Sequence, residues 1–114
     1  MSRLTDPDVL ALFMEALENW RWRGFVEWKR VAVEWVRKNL GRHNEDSINH
    51  LMCEHVLGGG EVDQVRETRE EYRGEHGFHY DFRLQVGARW VYIETTLDTT
   101  RMGPTVNVVS IHDV

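Results

Sequence analysis

The sequence predicts an α+β domain with two to three N-terminal helices packed on one face of a three- to four-stranded antiparallel sheet. Three observations predict it. Apolar residues recur at helical spacing through the first half of the chain. They alternate with polar ones after Gly77. The order is helices first and strands last, the pattern of segregated α+β folds. The 114 residues suit a single domain, residues 1–114, with a helical half over 1–57 and a sheet half over 61–114.

The elements follow in order. Thr5 is a candidate N-cap with Pro7 in the first turn, and Val9, Leu10, Phe13, Ala16, Leu17 and Trp20 form one apolar stripe. Gly24 ends or bends this helix. A second helix fits residues 25–40, with Phe25, Trp28, Ala32, Trp35, Val36 and Leu40 on its inner side and Gly41 after it. Asn44 or Ser47 caps a third helix, in which Ile48, Leu51, Met52 and His55 share a face, and Gly58-Gly59-Gly60 stops it. The segment "EVDQVRETREEYR" suits a helix or an edge strand equally. "FHYDFRLQV" is a strand, Gly87-Ala88 a tight turn, and Trp90–Leu97 the next strand. Thr105–Asp113 is the last.

The turn sets the register. Leu84 faces Val91, Phe82 faces Ile93 and Tyr80 faces Thr95, so the apolar faces match. The pleat then puts Arg83 opposite Tyr92, Asp81 opposite Glu94 and His79 opposite Thr96 on the other face. If Val109 and Ile111 face the core, Ser110 and His112 join that polar face. The cost is that Val106 and Val108 join it too. Asp81 and Glu94 repel one another unless Arg83 or a histidine compensates, or one carboxyl holds a raised pKa. A carboxylate, an imidazole and a guanidinium around a shallow cleft can cleave a phosphodiester by general acid–base catalysis without a metal.

Other features bound the function. The net charge is −5, with seven basic and two acidic residues from Arg21 to Arg42, and ten acidic and six basic from Glu61 onward. A single cysteine, Cys53, precludes an internal disulfide and fits a reducing cytosol. The N-terminus lacks the apolar core of a signal peptide, and no apolar run has the length of a membrane span, so the expected location is cytoplasmic with no membrane partner. The spacing of His50, Cys53 and His55 matches no strong metal-site motif, and the triple glycine lacks the Lys-Ser/Thr of a phosphate loop. Trp28 and Trp35 lie on a core stripe. Trp22, between Arg21 and Arg23, is the better candidate for stacking on single-stranded bases.

The stretches "LMCEHVLGGGEV", "REEYR", "FHYDFRLQV", "WVYIETTL" and "VNVVSIHD" together resemble the small ribonuclease fold of barnase and of RelE- and MqsR-like toxins, over roughly Ser47 to the end. The resemblance implies helices before a four-stranded antiparallel sheet, with "QVRETREEY" as the first strand. Barnase-like enzymes carry a glutamate, an arginine and a histidine along the sheet, and Glu94, Arg101 and His112 occur in that order here, with Arg83 as an alternative arginine. No lysine follows Lys38 and no tyrosine follows Tyr92, unlike the RelE-like toxins. The expectation is a metal-independent endoribonuclease with no cofactor, the toxin of a toxin–antitoxin pair, whose partners are RNA and a cognate antitoxin. Glu94 serves as base, His112 as acid, Arg83 or Arg101 as phosphate clamp, and His79 and Tyr92 as positioning groups. The alternative is a non-catalytic interaction module of antitoxin, immunity or adaptor type, which the acidic balance after Glu61 favours.

Overall fold

In the computed structural model, which describes residues 2–114 apart from the side chains at positions 72 and 73, the α+β expectation holds. The sheet is larger than expected and partly parallel. The elements are β1 (Ser2–Arg3), α1 (Pro7–Glu18), β2 (Val26–Trp28), α2 (Arg30–Asn39), α3 (Glu45–Leu57), β3 (Asp63–Arg66), the single turn α4 (Glu70–Arg73), β4 (Phe78–Val86), β5 (Arg89–Thr100) and β6 (Gly103–Asp113). The strand order is β1-β3-β4-β5-β6-β2, antiparallel except for the β2–β6 pair. Among the described residues no helix is long and apolar enough to cross a membrane.

The N-cap of α1 is Asp6, not Thr5. Its carboxylate accepts from the amides of Asp8 and Val9, and Pro7 takes the first helical position. The stripe then buries Phe13, Ala16 and Leu17 completely. Phe13 meets the ring of Tyr80 edge-on at 5.0 Å and lies 6.1 Å from that of Phe82.

The expected second helix begins five residues late. Val26 to Trp28 form a strand pairing in parallel with Val106 to Val108, and Arg30 starts α2. Trp28 lies three residues after Phe25 and two after Val26, so it satisfies both the helix and the strand period. Tertiary pairing decides between them. Trp28 is also fixed to α3, where its indole N–H donates to Asn49 at 2.8 Å.

Helix α3 starts with a reciprocal capping box between Asn44 and Ser47 and ends at Gly58. The glycine run serves packing: a Cβ on Gly60 would sit 2.4 Å from the His55 ring. The strand expected over "QVRETREEY" stops at Arg66. Beyond it, the Arg69 amide donates to the Glu67 side chain at 2.9 Å, folding the chain into a turn that leads to α4.

The β4–β5 register is the expected one. Leu84 pairs with Val91, Phe82 with Ile93 and Tyr80 with Thr95 across a two-residue turn, in which Gly87 takes a φ of 63°. Strand β6 departs from simple alternation. Glu94 pairs with Ser110, but Thr95 pairs with Val108, so Val109 is an extra residue. This bulge lets Val106, Val108 and Ile111 all face the core while Ser110 and His112 face the other side. The cost attached to Val106 and Val108 therefore disappears.

Candidate functional site

The open face carries three acidic residues in a row across neighbouring strands: Asp63 opposite Asp81, and Asp81 opposite Glu94. Like charges placed so would repel. Each carboxylate has its own partner. Arg83 lies 3.2 Å from Asp63, His79 bonds Asp81, and Arg69 bonds Glu94.

Asp81 is 1% exposed, although it stands on the polar face. His79 Nδ1 donates to one of its oxygens at 2.8 Å, and the Tyr92 hydroxyl donates to the other. Burial pushes the Asp81 carboxyl up, against the pull of these two hydrogen bonds. Burial also raises the Tyr92 hydroxyl, which the Asp81 carboxylate reinforces. With Nδ1 committed to Asp81, His79 has Nε2 as its other nitrogen. The His79 side chain is mostly buried, and its Nδ1 lies 3.9 Å from Glu94 Oε1.

Glu94 Oε2 accepts from Arg69 Nη2 at 2.9 Å. Arg69 is held in turn by Glu67 through two parallel bonds, Nε to Oε1 and Nη2 to Oε2, both at 2.8 Å. Hydrogen bonds from Arg69 hold the buried Glu67 carboxyl down at about 2. They also raise the already high pKa of Arg69, first through Glu67 and then through Glu94. Because the folded-state value of Glu67 is depressed, its stabilisation is present above the ordinary carboxylate range and is lost as pH falls toward 2. Glu67→Gln is thus expected to destabilise the protein near neutral pH and flatten the acid limb of its stability curve. Urea melts at a series of pH values check this, and parallel curves for both proteins would contradict it.

Glu94, Arg69 and Glu67 stand at one part of a cleft of about 230 Å³. Its floor follows Glu94, Thr96 and Asp98 along β5 and Asn107 and Val109 of β6; Lys29 and His76 also line it. Asp98 is gripped by His76 Nε2 and by Asn107 Nδ2, each at 2.7 Å. In this cleft a carboxylate with one committed oxygen meets a fixed guanidinium, and the mostly buried His79 imidazole stands behind it, 3.9 Å from the other Glu94 oxygen. A carboxylate, a guanidinium and an imidazole so placed suit proton transfer at an anionic centre.

The expected site residues divide. Glu94, His79, Tyr92, Arg83 and His112 share the open face. His112 is exposed at its rim, with its ring 5.2 Å from that of Tyr92. Arg83 is engaged with Asp63 rather than Glu94. Arg101 lies in the exposed β5–β6 turn, seven positions from Glu94 and so roughly 20 Å along the strand. The structure does not bring it to the carboxylate. Glu67 and Arg69 were missed because they reach the face from a turn that alternation cannot place. The Glu-x-Arg spacing inside an acidic stretch was the available signal.

His79 Nδ1 and the Asp81 and Glu94 carboxylates offer three donor atoms within 4.8 Å of one another, a nitrogen–oxygen set suited to a first-row divalent ion. The same groups are tied by hydrogen bonds, Asp81 to His79 and Tyr92 and Glu94 to Arg69. The His50, Cys53 and His55 group does not converge: His50 pairs with Glu54, and His55 accepts or donates nothing to Cys53 but bonds the Glu61 carbonyl at 2.7 Å.

Compared with known proteins, the chain matches no family model, no curated sequence and no solved structure.

Proposed function

We propose that the protein is a metal-independent endoribonuclease, the toxin of a toxin–antitoxin pair, acting on the open face of its sheet. The observation that carries the reading is the Glu94–Arg69 ion pair in the cleft, with His79 beside the second Glu94 oxygen. Glu94 takes the proton of a 2′-hydroxyl. The oxygen so freed attacks the adjacent phosphorus and displaces the 5′ oxygen of the next nucleotide. His79, oriented by buried Asp81, protonates that leaving oxygen. Arg69, oriented by Glu67, meets the charge that develops on the phosphoryl oxygens. His112 at the rim is the alternative acid.

The test is incubation of the pure protein with RNA, with and without EDTA and with and without ribosomes. Cleavage that survives EDTA is the expected result. Cleavage abolished by EDTA and restored by a divalent ion would instead place a metal on His79, Asp81 and Glu94. Intact RNA in every arm, with no slowing of growth on expression, would end the nuclease reading.

One observation favours the non-catalytic alternative. Glu67, Glu75, Glu94 and Asp98 line the cleft against Lys29 and Arg69 as permanent cations. Such a lining suits a basic segment of a partner protein. A stable complex with a basic protein that survives Glu94→Gln and His112→Ala, together with intact RNA, would select this reading.

A further inference from the structure

We propose that the corner formed by the turn before β2 and the β5–β6 turn is a binding site for single-stranded RNA leaving the cleft. Trp22 supplies the stacking face, Met102 an apolar contact, and Arg23 and Arg101 the phosphate contacts. The proposal rests on the ribonuclease reading for the nature of the strand.

The two turns are joined. The Thr105 hydroxyl donates to the Gly24 carbonyl at 2.7 Å, and the Val106 amide donates to the Phe25 carbonyl at 2.9 Å. Between them lies a hollow of about 150 Å³ lined by Arg23, Phe25, Met102 and Pro104. Trp22 is 69% exposed and Met102 is 89% exposed, the latter the most exposed large apolar side chain described. Folding does not account for Trp22. Its amide closes the turn onto the Asn19 carbonyl at 2.9 Å, a bond any residue but proline would make, while its indole remains in solvent.

Charge points the same way. Among the described residues Arg23 and Arg101 form no ion pair, in a chain of net charge −5. Arg21 is turned away from them, over the Trp20 ring at 4.4 Å on the side of α3. Glu15 reaches the base of the corner beside Gly103, one carboxylate to the two arginines. Aromatic faces interleaved with guanidinium groups are how sequence-tolerant single-strand sites hold bases and phosphates together.

Position connects the corner to the chemistry. The cleft floor runs from Glu94 through Thr96 to Asp98, and the same strand continues to the turn that holds Arg101 and Met102. Asp98 and Arg101 are three residues apart, roughly 10 Å. A strand with its reacting phosphate at Glu94 reaches the corner within a few nucleotides.

The experiment measures binding without cleavage. A fluorescent 2′-O-methyl oligoribonucleotide of about ten residues has no free 2′-hydroxyl and stays intact. Trp22→Ala is expected to weaken its binding by about fivefold to a hundredfold. The Arg23→Glu/Arg101→Glu pair is expected to weaken it further and to lower its salt dependence. Unchanged affinity in both variants would overturn the proposal. So would an acidic apolar peptide that binds through these residues while the oligonucleotide does not. Oligonucleotide binding at the corner with RNA never cut would sink the ribonuclease reading and leave the corner standing. RNA cut by Trp22→Ala with an unchanged KM would do the reverse.

Discussion

Glu94→Gln is expected to lower RNA cleavage by about two to four orders of magnitude, the usual loss when a positioned proton acceptor is removed. The amide keeps the shape of the side chain but cannot take a proton. Arg69 retains its two bonds to Glu67, so the guanidinium stays near its place. The loss therefore reports chemistry more than collapse of the site. Single-turnover cleavage of a labelled RNA, alongside thermal melting of the variant, separates the two. A variant that cuts at the parent rate removes Glu94 from the mechanism. His79→Ala belongs in the same series. It is expected to cost more than His112→Ala, because His79 stands 3.9 Å from Glu94 whereas His112 is exposed at the rim. A larger loss from His112→Ala returns the acid role to the rim histidine.

Phe82→Ala is expected to lower unfolding free energy by about 3–5 kcal/mol. Domains of this size are stable by only about 5–15 kcal/mol, so the variant sits near the threshold of folding. Phe82 has no solvent exposure. It lies 6.1 Å from the Phe13 ring of α1 and 5.9 Å from the His55 ring of α3, and pairs across the sheet with Ile93. Truncation leaves a cavity where two helices meet the sheet, and backbone pairing on both sides keeps β4 from moving in to fill it. Urea denaturation followed by tryptophan fluorescence measures the change. A loss below about 1 kcal/mol would mean that the helices reseat on the sheet.

How far the sequence could be read depends on whether structure was written locally. The pairing of β4 with β5 was legible because both strands alternate strictly and Gly87 turns between them. Placing His79, Asp81, Arg83, Tyr92 and Glu94 on one face followed at once. The last strand was legible only by halves. Val106 and Val108 define one alternation and Val109 and Ile111 the opposite one, and both cannot hold without an added residue. Strand β2 was hidden because Trp28 also fits the helical stripe that runs on from Phe25, and its parallel partner lies some 80 positions away. The Glu67–Arg69 pair was hidden for a related reason. A turn carries it onto the sheet face, and turn geometry depends on which side chain captures which amide. Burial of Asp81 was equally out of reach, since alternation gives a residue its side of the sheet but not what lies over it.

The extra residue at Val109 gives the final strand one spare position. Were that codon lost, Val106, Val108 and Ile111 would still point inward and Asn107, Ser110 and His112 outward, now in unbroken alternation. What the strand would give up is the local kink and added twist of the bulge, not the side on which each residue stands. Deletion of Val109 is thus the change of length this strand best absorbs.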